Sequence, residues 1–201
     1  MELEELPAHL EFYRQTLLLF HRGDTEGLGR HLKKTDSLTG HPHAEIVCLC
    51  SELRRQILAG KPDVALMNRL ASNAVPSQWR GEACVLVAYA WELHEDFESA
   101  LRLHKKAALW LTKIGAHGKS LRARSNMIAN LSNVEPERRL IPEYLYLNRE
   151  AARLGQWNVV ATTFLNVSRE YQAMGAFGVA LRYCGQAIEA CASDLDRKSV
   201  V

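Results

Sequence analysis

The side chains best suited by type to chemistry lie close together early in the chain: the imidazoles of His41-Pro42-His43 and the thiols of Cys48 and Cys50. Imidazole and thiolate are the ligands of zinc, which wants four of them converging tetrahedrally. The spacing works against it. Cys48 and Cys50 are two apart in a segment with helical periodicity, so they point about 200° apart and do not share a metal ion. Loop histidines beside core cysteines is the reading that follows, and no metal or other cofactor is expected. His94 and Glu95 stand side by side just before a turn, as ordinary helix-end polarity. Nucleophilic or phosphate chemistry has recognisable frames, G-x-S-x-G, H-E-x-x-H, G-x-x-x-x-G-K-[ST] and G-x-G-x-x-G, and none occurs in this chain. Arg22-Gly23-Asp24 matches an adhesion tripeptide but reads as the corner between two helices. The sequons starting at Asn130 and Asn166 fall inside predicted helices. The expectation is a protein that is not an enzyme.

Composition narrows the class further. The 201 residues are 47% apolar and 24% charged, a balance that folds. Lys and Arg number 25 against 23 Asp and Glu, a net charge of +2. A direct nucleic-acid or membrane binder working by charge would be far more basic. No apolar run approaches the ~20 residues of a membrane span. The opening MELEELPAHLEF is acidic, without the basic-then-apolar layout of a secretion signal. The five cysteines, Cys48, Cys50, Cys84, Cys184 and Cys191, sit in apolar helical patterns and read as reduced thiols. A cytoplasmic protein is expected.

Helical periodicity must position these residues, since it runs nearly end to end and strand alternation is almost absent. The breaks fall at Arg22-Gly23-Asp24, Gly40-His41-Pro42, Gly60-Lys61-Pro62, Val75-Pro76-Ser77, Glu95-Asp96, Gly115 to Gly118, Glu135-Pro136, Gly155 and Gly175. Gly ends helices by accepting the left-handed conformation, and Pro cannot continue one. About ten helices are predicted. Joined by loops this short, neighbours should pack as antiparallel pairs.

The breaks also keep a register. Shifted by 80 residues, Phe164, Val167, Ser168, Tyr171, Phe177, Ala180, Cys184 and Ala187 fall on Cys84, Val87, Ala88, Trp91, Phe97, Ala100, His104 and Ala107. Small residues recur where two helices must approach, and aromatics recur one turn later to fill the gap. This pattern resembles the tetratricopeptide repeat, W-x2-L-G-x2-Y followed by A-x3-F-x2-A, in the longer-helix form found in bacterial regulators. Gly60, Pro62 and Ala65 keep the turn-to-helix step earlier in the chain, and Gly23 and Leu28 keep it with Leu in place of Ala. The resemblance implies one all-α domain over 1–201, a right-handed superhelical solenoid of about five antiparallel helix pairs. The approximate repeats are 9–42, 43–78, 81–114, 119–156 and 157–193, with Ser193-Asp194 reading as a helix N-cap and 194–201 starting a further helix or cap.

In that family the first helix of each pair lines a concave groove. By register the groove would carry Tyr13, Arg14 and Leu17, then Cys50, Ser51 and Arg54, then Glu82, Val85, Leu86 and Tyr89. Arg122, Asn126 and Ala129 would follow, then Thr162, Asn166 and Arg169. The partner-binding set drawn from these is Tyr13, Arg14, Arg54, Tyr89, Arg122, Asn126, Asn166 and Arg169. An Asn amide grips peptide backbone with both donor and acceptor, Arg takes a carboxylate in a bidentate pair, and Tyr offers stacking area with a polar tip. The family's chaperone-binding version uses a Lys that is missing here, so that activity is not carried over. The expected function is a non-enzymatic scaffold or sensor for a protein or peptide segment with an acidic group, with self-association as a further possibility. The alternative is a helical regulatory arm of a larger transcription regulator or signalling protein.

Overall fold

In the computed structural model the backbone is described for residues 7–38, 40–41, 43–72 and 74–199, and the side chains for these residues except 36, 37 and 194–199. Among the described residues the chain is all-helical. Ten α-helices follow one another: α1 Ala8–His21, α2 Thr25–Leu32, α3 Ala44–Leu58, α4 Val64–Ala71, α5 Ser77–Leu93, α6 Phe97–Lys113, α7 His117–Val134, α8 Ile141–Arg153, α9 Trp157–Ala173 and α10 Phe177–Ser199. A single 3-10 turn, Thr35–Leu38, precedes α3.

One turn recurs six times and sets the helix ends. After α9, the Gly175 N–H donates to the Gln172 carbonyl at 3.0 Å and the Ala176 N–H to the Tyr171 carbonyl at 2.9 Å. The same pair of bonds closes α1, α3, α5, α6 and α8. Both bonds require a left-handed residue just past the helix. Glycine supplies it at 23, 60, 115, 155 and 175, and Glu95 supplies it after α5 with φ of 59°. Two starts are fixed by capping carboxylates: Asp24 accepts from the Gly27 N–H and Asp63 from the Leu66 N–H, each at 2.7 Å.

The chain divides into two compact units, 1–96 and 97–201. In the first, α1 packs on α2 and α3, while α3 also meets α4 and α5. Leu28, Val47, Leu53, Met67 and Val87 are buried there. In the second, α6 packs on α7, α7 on α8 and α9, α8 on α9, and α9 on α10. Leu121, Leu140, Tyr144, Leu147, Val160 and Val167 form its core. Serines stitch two of these pairs alike: Ser120 donates to the Ala108 carbonyl at 3.0 Å, and Ser168 to the Ala180 carbonyl at 2.9 Å. Between α8 and α9 the buried Asn148 amide donates to the Val160 carbonyl at 3.0 Å and to Thr163 Oγ1 at 2.8 Å.

The small residues picked out by register, Ala100, Ala107, Ala180 and Ala187, are all buried. Ala65 is not. It is exposed, and Met67 and Leu70 turn α4 inward instead. Phe177 is exposed as well, so it does not fill the gap its register position suggested. Ser193 does not cap a new helix. Its hydroxyl donates back to the Glu189 carbonyl at 3.1 Å, and α10 runs through Asp194 to Ser199 unbroken.

Candidate functional site

In the first unit, packing of α3 against α1 and α5 brings three of the register positions together. The Tyr13 phenol donates to Glu82 Oε1 at 3.0 Å, and Arg54 Nη2 donates to the same oxygen at 2.8 Å. The Arg54 guanidinium lies 4.9 Å from the centre of the Tyr13 ring and 5.8 Å from that of Phe20. The Tyr13 ring meets Trp79 edge-on at 5.0 Å. One turn along, Thr16 Oγ1 and Ser51 Oγ are 3.0 Å apart in a buried pair. Tyr13, Arg54, Cys50 and Ser51 are all buried. Burial pushes the Tyr13 phenol well above its ordinary range, and Glu82 adds to the effect while Arg54 opposes it. Burial likewise pushes the Cys50 thiol up to about 12. Tyr13 and Arg54 thus spend their polar atoms on this chain, as posts between helices.

The other predicted residues are more open. Arg14 is exposed and holds Glu11 through two bonds of 2.7 Å, which with the Gln15 amide draw the Glu11 carboxyl down to about 2. Tyr89 is half-buried on α5. In the second unit Arg122 is exposed and Asn126 half-buried on α7, while Arg169 is exposed and Asn166 half-buried on α9, and these two helices pack together. The Arg169 charge reaches the buried phenol of Tyr144 on α8, where it opposes the upward push of burial and of Glu170.

Two features escape the sequence. A hollow of about 480 Å³ lies between α7 and α8, with Met127, Ile128 and Leu147 as its floor and Arg124, Arg139 and Tyr146 at its rim. Arg124 is held there by Glu150, both carboxylate oxygens lying 2.7 Å from Nη1. Tyr146 is exposed there, which no spacing in the sequence announces. The second feature is a histidine cluster. His9 of α1 lies 5.6 Å from His41 and 5.7 Å from His43, ring centre to ring centre. His43 Nε2 contacts the Gln78 amide, and the buried Nδ1 atoms of His9 and His43 have no hydrogen-bond partner. Among the described residues no group of three or more His, Cys, Asp or Glu side chains is arranged to hold a metal ion. No helix among them is long and apolar enough to cross a membrane.

Set against protein-family models, curated proteins and solved structures, the chain matches none of them.

Proposed function

We infer that this chain is a non-enzymatic interaction scaffold of tetratricopeptide-like build, in which the odd-numbered helices present a surface to an extended or helical protein segment. The observation that carries the reading is the side-by-side packing of those helices within each unit: α1 with α3, α3 with α5, and α7 with α9. Adjacent helices lie about 8–10 Å apart, so residues at matching register form a ladder. The Tyr13–Arg54–Glu82 contact is such a rung.

The rungs divide the labour. Tyr13 and Arg54 brace the first unit from within. Arg122, Asn126, Asn166 and Arg169, on the exposed or half-buried surface of α7 and α9, are the groups that would meet a partner, with amides for backbone and a guanidinium on each helix for carboxylate. The partner is a peptide or protein segment bearing an acidic group. The hollow between α7 and α8 adds a place for one apolar side chain.

The test is selection from a displayed peptide library, followed by calorimetry of the selected peptides against the parent, Asn166→Ala and Arg169→Ala. Circular dichroism checks that the variants remain folded. Loss of a charge-assisted bond costs roughly 1.5–3 kcal/mol of affinity. Enrichment of acidic peptides, with weaker binding by both variants, supports the reading. Selected peptides without acidic character, or variants that bind like the parent, defeat it.

A further inference from the structure

The outward face of α10 is built like one side of a helix pair. Phe177, Leu181, Ile188 and Cys191 follow one another at steps of four, seven and three, which places them on one stripe of an α-helix. Phe177 is 62% exposed, Leu181 72% and Ile188 71%. Three apolar side chains left this open on one helix face mark a place that something covers.

Beside the stripe runs a second line, Gly178, Gly185 and Ala192, again seven apart. Glycine inside a helix is costly, because it loses the most backbone freedom and packs nothing. A close neighbour within the fold would justify it. Neither Gly178 nor Gly185 has one: a Cβ built at either position meets nothing within 4 Å. Their smallness answers to a helix outside the chain that comes close.

Charge indicates which helix. Beyond the glycine line lie Arg182 and Glu189, exposed and seven apart on the same flank. They are symmetric about the point between Gly185 and Gln186. A two-fold axis through that point runs a second copy of α10 antiparallel to the first. In antiparallel pairs like flanks face each other, so Arg182 of each copy meets Glu189 of the other. Leu181 and Ile188 interleave with Ile188 and Leu181 of the second copy, and the Gly185 backbones lie nearest the axis. We propose that α10 is an isologous dimer interface through which two copies of this chain associate antiparallel.

The test is sedimentation equilibrium of the full chain across the micromolar range. The parent is a dimer that dissociates reversibly, and Leu181→Glu is a folded monomer, since its side chain is already exposed. Arg182→Glu and Glu189→Arg each weaken the dimer by about tenfold or more, and the double reversal restores it. Gly185→Ala separates the two roles of that residue: it raises the melting temperature of the monomeric Leu181→Glu background while weakening the dimer of the parent. A monomeric parent overturns the proposal and leaves the stripe to a different protein. A dimer indifferent to Leu181→Glu, or a double reversal that recovers nothing, overturns it as well.

Discussion

Arg54 of α3 and Glu82 of α5 meet at 2.8 Å with their side chains only 6% and 18% exposed, and the same carboxylate oxygen takes the Tyr13 phenol of α1. One oxygen thus ties three helices. A buried ion pair adds little over well-packed apolar groups, but breaking it strands a charge. Glu82→Ala should therefore cost about 3–5 kcal/mol in urea unfolding. The double variant Arg54→Met, Glu82→Leu should cost clearly less. Equal losses in the single and double variants would show that the pair contributes only packing volume.

The thiols should react in order of burial. The thiolate is the reactive form, and burial disfavours it. Cys191 is exposed, Cys48 and Cys184 are half-buried, and Cys50 and Cys84 are buried. With Cys50 pushed up to about 12, iodoacetamide at mildly alkaline pH should label Cys191 first in the monomeric Leu181→Glu chain and leave Cys50 untouched until denaturant is added. Mass spectrometry of digested, labelled protein reads the order directly.

Glu95 occupies the left-handed corner that glycine fills in the five equivalent turns. That conformation costs a side-chain-bearing residue roughly 1–2 kcal/mol. Part of the gain on replacement returns as unfolded-chain entropy, about 0.4–1 kcal/mol. Glu95→Gly should stabilise the chain by about 0.5–1 kcal/mol, a melting increase of about 2 °C. A lower melting temperature would mean that the Glu95 side chain holds the turn in some other way.

The histidine cluster should make stability fall in weak acid. Burial lowers the His9 pKa, and the neighbouring charges of His41 and His43 lower it further. A depressed histidine is neutral in the fold at pH values where the unfolded chain already takes up a proton. Its contribution is therefore complete above the ordinary pKa of 6.5 and is lost as pH drops through the lower folded value. His9→Gln should flatten the loss of stability between about pH 7 and pH 5, measured by urea unfolding at each pH. An unchanged slope would place the acid sensitivity elsewhere.

Much of this was legible in the sequence because it follows from backbone chemistry. Glycine at 23, 60, 115, 155 and 175 announces the left-handed corners, and the alanines at 100, 107, 180 and 187 announce close helix crossings. Register also put Tyr13, Arg54 and Glu82 on facing helices. It did not reveal that they would bond to one another, since register fixes a side of a helix and not how far a side chain reaches. Ala65 misled because α4 is only eight residues long, and its inward face is set by Met67 and Leu70. Ser193 misled because a serine hydroxyl serves equally as a cap or as a back-bond within a helix. The His9 contact was hidden because α1, α2 and a 3-10 turn separate it from His41.

The three-residue turns at 114–116, 154–156 and 174–176 bear on how the chain folds as it is made. A loop that short costs little entropy to close, and each helix finds its first neighbour immediately behind it. Synthesis releases the chain from its N-terminus. The hairpin of α6 and α7 therefore has both of its arms as soon as Val134 clears the ribosome, before α8 emerges. Contacts of such local origin are associated with rapid folding, so apolar surface on each new helix waits only for the next one to emerge. The nascent chain then exposes little at any moment for chaperones to hold.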